Sequence, residues 1–97
     1  MAVTLCVPLW ARPGAADALV AYEDAVLPLV ATHGGRVRER VRTDGSDDGP
    51  LEVHVLEFPS DSALDAYMND PQRQELSAAR DEAIARTAVY RVNRIRS

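Results

Sequence analysis

His54, Tyr22, Tyr67 and Phe58 are the side chains on which a binding site or a reaction could be built. Histidine is the residue whose ordinary pKa lies near neutrality, so one held inside a strand can act as general base or acid toward a neighbouring substrate. His54 lies in the run Leu51-Glu52-Val53-His54-Val55-Leu56-Glu57-Phe58. In an extended chain residues 54, 56 and 58 share a face, and Leu56 with Phe58 makes that the face turned toward a core. Tyr22 and Tyr67 fall on the inner faces of two helices, where a buried hydroxyl needs a partner that a ligand or water can supply. Together the four would form an apolar pocket with a few convergent polar groups. Each also has a plainer reading, His54 as a hydrogen-bonded structural histidine and the tyrosines as core residues. His54 is the one candidate for catalysis.

Other chemistries find little support. Two histidines and one cysteine, far apart on different elements, make no metal constellation. Gly34-Gly35 lacks the spacing and following helix of a phosphate loop, and no nucleophile-elbow motif supports a serine triad. Asp47 and Asp48 lie in a turn-rich loop without the spaced oxygen ligands of a calcium site. Cys6 reads as a small hydrophobe. His33, at a helix C-terminus, reads as structural. Neither metal nor cofactor is expected. The net charge of −4 argues against a nucleic-acid partner. All the basic residues are arginines, and Arg36, Arg38, Arg40 and Arg42 would share one strand face, read as a solvated edge.

The elements that position these residues follow from periodicity. Val3, Leu5, Val7 and Leu9 alternate as a strand that Arg12-Pro13-Gly14 ends. Residues 15–32 carry Leu19, Tyr22, Val26, Leu29 and Val30 at helical spacing, with Pro28 predicting a kink rather than two helices. Gly34-Gly35 stops the helix. Residues 36–43 form a second strand, with Val37 and Val41 on one face, and residues 51–58 a third. Ser60 caps a helix that carries Tyr67, and Asp70-Pro71 starts another, whose buried stripe is Leu76, Ala79, Ala83 and Ile84. Residues 88–95 alternate as the last strand.

Strand, helix, strand, strand, helix, strand with right-handed crossovers is an α+β, ferredoxin-like βαββαβ fold, a four-stranded antiparallel sheet with helices on one face. Residues 1–97 read as a single domain. A chain of 97 residues with 46% hydrophobic content builds a thin core. Cys6, Pro8 and Trp10 on the first strand and Val53 and Val55 on the third leave no fully polar sheet face, so a homodimer packed sheet to sheet is expected. No run is long enough to span a membrane, no secretory signal is visible, and the lone cysteine fits a reducing cytoplasm.

The segment His33-Gly34-Gly35-Arg36-Val37, then Val55-Leu56-Glu57-Phe58-Pro59-Ser60, Ala66-Tyr67 and Pro71, resembles an uncharacterised bacterial family of unknown function in the dimeric α+β barrel superfamily. Arg12-Pro13-Gly14 is similar to the antibiotic-biosynthesis monooxygenases of that superfamily. The haem-degrading members carry an asparagine, a tryptophan and a histidine where this chain has Val7, Phe58 and Tyr67, so the resemblance does not extend to haem oxygenase chemistry. It implies a dimer, a pocket between sheet and helices lined by Tyr22, His54, Phe58 and Tyr67, and a role in binding a small organic molecule. The alternatives are a cofactor-independent monooxygenase or isomerase of a hydrophobic or aromatic metabolite, and a structural or regulatory dimer without a pocket. Glu57 matches the family's glutamate and is expected to pair with an arginine such as Arg91.

Overall fold

In the computed structural model, which describes residues 2–95, the chain begins with β1 (Val3–Ala11). Val3, Leu5 and Leu9 are buried on one side of it; Thr4, Cys6, Pro8 and Trp10, half-buried, take the other. Residue 1 and residues 96–97, the ends of the expected domain, lie outside the described residues. The helical stretch that follows is two segments, α1 (Ala16–Val26) and α2 (Pro28–Thr32), where a single kinked helix was expected. Pro28 has no N–H to donate back to Asp24, and the next turn tightens, with Val30 N donating to Leu27 O at 3.0 Å. Leu27 keeps helical angles (φ −61°, ψ −33°), so the chain continues in the same sense. Leu19, Tyr22, Glu23 and Val26 form the buried stripe of α1.

Gly34, at φ +78°, ends α2. Gly34 N donates to Ala31 O and Gly35 N to Val30 O, the paired bonds of a Schellman stop. β2 (Arg36–Arg42) then pairs with β3 (Glu52–Phe58), and β3 with β1, all antiparallel. A bulge between Val37 and Glu39 changes the faces of β2. Val37 sits opposite Leu56 and Val41 opposite Val53, so the two valines face opposite sides, not one. The arginine row divides in the same way. Arg36 lies opposite Glu57 on the face away from the helices, whereas Arg40 and Arg42 lie opposite His54 and Glu52 on the helix side. The expected solvated row does not form.

Ser60 caps α3 (Asp61–Met68), accepting from Ala63 N. Asp70 caps α4 (Pro71–Glu75), and α5 (Ser77–Ala83) follows. Leu76 falls in the break between these helices, Ala79 is exposed and Ile84 begins the next strand, so of the expected stripe Ala83 alone is buried on α5. The last strand starts earlier than expected and is broken into β4 (Ile84–Thr87) and β5 (Tyr90–Arg91), both beside β1. Pro8 explains the gap. Even-numbered β1 residues direct their backbone bonds toward this strand, since Val92 N donates to Thr4 O and Ala88 N to Pro8 O. Pro8 offers no N–H in return.

The sheet order is β2-β3-β1-β4, with β5 continuing beside β1. This is the ferredoxin-like α+β architecture. Its extents of 39 × 38 × 16 Å are those of one sheet and one helical layer. The core lies between them, centred on Leu5, Leu19, Val26, Val30, Leu56 and Phe58. Among the described residues no helix is long and apolar enough to cross a membrane.

Candidate functional site

β3 alternates strictly, with Glu52, His54, Leu56 and Phe58 buried toward the helices and Val53, Val55 and Glu57 half-exposed on the other face. His54 thus comes to lie beneath α1, whose Tyr22 and Glu23 are on the inward stripe. A cavity of about 250 Å³ opens between sheet and helices here. Leu5, Val7, Leu9, Val26 and Leu56 supply apolar wall, and Tyr22, Glu23, His54, Tyr67, Arg73 and Arg80 supply polar groups. The volume equals that of about eight water molecules, which suits a small monocyclic molecule rather than a nucleotide.

Three of the four side chains expected at a pocket, Tyr22, His54 and Tyr67, border this space. Phe58 does not. It is wholly buried at the far end of β3, with its ring 5.2 Å from that of Tyr67. The missing side chain of Gly35 leaves it room, since a Cβ there would stand 2.9 Å from Phe58 Cδ1. Phe58 therefore supports Tyr67 from behind. His33 has a comparable supporting role, its Nε2 lying 2.6 Å from Asp70 Oδ2 and its ring edge-on to Tyr67. That contact holds the Asp70 carboxyl below the usual range and ties the end of α2 to the start of α4.

Residues the sequence reading passed over complete the site. Glu52, with no solvent exposure, accepts from Arg40 Nε at 2.8 Å, Arg42 Nη2 at 2.6 Å and His54 Nε2 at 2.8 Å. Burial alone would raise its pKa, but the hydrogen bonds from Arg40, His54 and Arg42 hold it down at about 2. An ionised carboxylate only accepts, so His54 carries its proton on Nε2. Burial depresses the pKa of His54 against the opposing pull of Glu52, keeping the imidazole neutral. Its Nδ1 is then a free acceptor, 3.9 Å from Glu23 Oε2.

Glu23 is the unusual member. Burial, and then the negative charge of Glu52, raise its pKa to about 7, against the smaller pull of Arg40, Arg73 and Arg80. A carboxyl that is half-protonated at neutral pH thus stands beside a neutral imidazole in an apolar cavity, an arrangement able to donate or accept a proton. Burial likewise raises the Tyr22 and Tyr67 pKa values, so both are neutral donors with Arg73 beside them. The Arg73 guanidinium lies 4.7 Å from the centre of the Tyr67 ring. Glu57, by contrast, is outside the site. Its nearest cation is Arg38 at 4.0 Å, while Arg91, the partner expected for it, pairs with Asp61. Among the described residues no group of three or more His, Cys, Asp or Glu could hold a metal ion.

The fold recurs in solved structures. Rv0793 from Mycobacterium tuberculosis is 26% identical over 100% of this chain and 98% of its own, with a TM-score of 0.74. A dimeric protein of unknown function and ferredoxin-like fold from Bacteroides fragilis matches at 13% identity and TM-score 0.71, covering 94% of each chain. A candidate antibiotic biosynthesis monooxygenase from Bacteroides thetaiotaomicron matches at 11% identity and TM-score 0.73, covering 97% of this chain and 90% of that one. No curated protein matches the sequence. The sequence model of a domain of unknown function, DUF1330, matches residues 13–92, most of the chain from the end of β1 through β5, and the protein belongs to that family.

Proposed function

We propose that this protein is a single-domain, cytoplasmic homodimer that binds a small organic molecule in the cavity between sheet and helices. The observation that carries the reading is the cavity itself, about 250 Å³ of largely apolar wall onto which Tyr22, Glu23, His54, Tyr67 and Arg73 converge. Pockets of this make-up are the usual form of a small-molecule site, and an open space weighs against a purely structural dimer. Support for the dimer comes from the sheet face away from the helices. Cys6, Pro8, Val53 and Val55 are half-buried there without a covering layer, and Val41 is 50% exposed. The Bacteroides fragilis relative of the same fold is described as dimeric. Mass spectrometry of compounds released from the purified protein, followed by thermal shift with those compounds, tests the reading. A native-state ligand should raise the melting temperature in proportion to the logarithm of its excess over Kd. If every compound that stabilises the wild type equally stabilises a Val7→Trp variant, whose side chain fills the cavity, the reading is wrong.

The Glu23–His54 pair favours a second reading, a cofactor-independent isomerase or monooxygenase acting on a hydrophobic or aromatic metabolite. A buried carboxyl near pKa 7 beside a neutral histidine fits proton transfer, and the Bacteroides thetaiotaomicron relative carries the monooxygenase description. Incubating the bound compound in deuterium oxide separates binding from proton transfer. Carbon-bound deuterium that appears with wild type and not with Glu23→Gln supports the enzyme. Equal incorporation with both proteins removes it.

A further inference from the structure

We propose that the ligand is a small organic carboxylate, its apolar body on Leu5, Val7, Val26 and Leu56 and its anionic head on Arg73 between the hydroxyls of Tyr22 and Tyr67. This rests on the reading of the cavity as a ligand site. Arg73 forms no salt bridge among the described residues; its Nη1 donates to Met68 O at 3.2 Å, and its guanidinium lies beside the hydroxyls of Tyr22 and Tyr67. Its Nε is the only buried side-chain nitrogen or oxygen among the described residues without a partner. Leaving such a donor unsatisfied costs on the order of 1–3 kcal/mol, and native proteins do so rarely outside sites that something else completes. The guanidinium carbon lies over the Tyr67 ring, 4.7 Å from its centre, and a planar fork with donors to spare matches a carboxylate.

The surrounding charge agrees. Arg80 also borders the cavity, and its own partner is the neighbouring Asp81, 3.7 Å away at the surface. The opposing carboxyls are few. Glu52 is spent on Arg40 and Arg42, Asp65 is exposed to solvent, and Glu23 takes up a proton as the pH falls below neutrality. The groups facing Glu23 are His54 and Glu52 from β3, Arg40 from β2, Tyr67 from α3, Arg73 from α4, Arg80 from α5 and Tyr22 from its own helix. An anion placed among them favours protonated Glu23, so affinity should be higher at pH 6 than at pH 8.

Benzoate and benzamide, matched in shape and different in charge, are the probes. Calorimetric titration of the wild-type protein at pH 6 should give benzoate an affinity about tenfold or more above that of benzamide, or at least about 1.4 kcal/mol. Arg73→Gln should abolish the preference, and Arg73→Lys, which keeps the cation and guards against a folding artefact, should retain part of it. Equal affinity for the two probes in the wild type overturns the carboxylate assignment and leaves the pocket standing. A preference that survives Arg73→Gln in a folded protein overturns the role of Arg73. Binding of neither probe at tens of millimolar overturns the pocket reading along with it.

Discussion

Glu52 and Glu23 lie on adjoining elements and are both almost wholly buried, yet their surroundings push them in opposite directions. Glu52 is ionised, with Arg40, Arg42 and His54 all donating to it. Glu52→Gln removes the charge these groups were arranged around and should cost about 3 kcal/mol in chemical denaturation, the low end for breaking a buried pair because both guanidiniums reach water. Since the folded pKa of Glu52, about 2, lies below its ordinary value of 4.5, its contribution is present above pH 4.5 and is lost as acid approaches pH 2. Glu23 behaves in the opposite sense. Its folded pKa of about 7 lies above its ordinary value of 4.5, so the folded state holds the extra proton and stability falls as the pH rises between the two. Glu23→Gln abolishes that loss, and its stability relative to wild type should improve by about 2 kcal/mol from pH 5 to pH 8. His54, depressed by burial, is present in both proteins and largely drops out of the difference. Thermal melts at the two pH values measure the effect, and a pH-independent difference would show that Glu23 does not carry the raised pKa. Part of this was legible in the sequence. The parity that directs His54 inward directs Glu52 inward too, and Glu23 falls within the Leu19, Tyr22 and Val26 stripe. Periodicity, however, ranks residues by hydropathy, so charged residues on a buried face are passed over until their partners are seen.

At the scale of elements, capping and turn chemistry translated directly, while departures from regular pairing did not. Ser60 and Asp70 cap as their types dictate, because a cap is decided within a few residues. The bulge in β2 is decided by pairing across the sheet. Without it Arg40 and Arg42 would stay in one row with Arg36, and Glu52 would lose its cations. The glycine pair after α2 shows the same division. Both glycines fit a helix stop, but only Gly34 has a positive φ. Gly35 is required by packing, since a Cβ there would lie 2.7 Å from Glu57 O and 2.9 Å from both Phe58 Cδ1 and Val30 Cγ1. Gly34→Ala should therefore cost about 1 kcal/mol for its backbone conformation. Gly35→Ala should cost about 2 kcal/mol for overpacking and should displace Phe58 and the Tyr67 ring above it. Urea denaturation orders the two, and near-ultraviolet circular dichroism should change for Gly35→Ala alone. The reverse order would mean that α2 and β3 are not packed this tightly.

At the scale of the whole molecule, the slab is 16 Å thick, finished on its helical side and unfinished on the other. Trp10 illustrates the unfinished side. Arg86 stacks 4.0 Å over its ring and its Nε1 donates to Asp48 O, so the edge of the face is tied down. The centre has no such cover. Val55 lies there between Cys6 and Glu39, on the face opposite the cavity. If a second copy covers this face, light scattering at micromolar concentration should give about twice the 10.6 kDa chain mass. The melting temperature should also rise with protein concentration, because association stabilises the folded state by mass action. Val55→Arg places a charge at the centre of the covered region, where the handful of residues that dominate an interface cluster, each worth about 2 kcal/mol or more, or about thirtyfold in affinity. The variant should run as a 10.6 kDa monomer with a lower and concentration-independent melting temperature. Its cavity residues, on the opposite face, should keep their selectivity between benzoate and benzamide. A wild-type monomer would remove the dimer. A Val55→Arg protein that still dimerises like the wild type would place the contact elsewhere, on the exposed edge of β2 or on the helices.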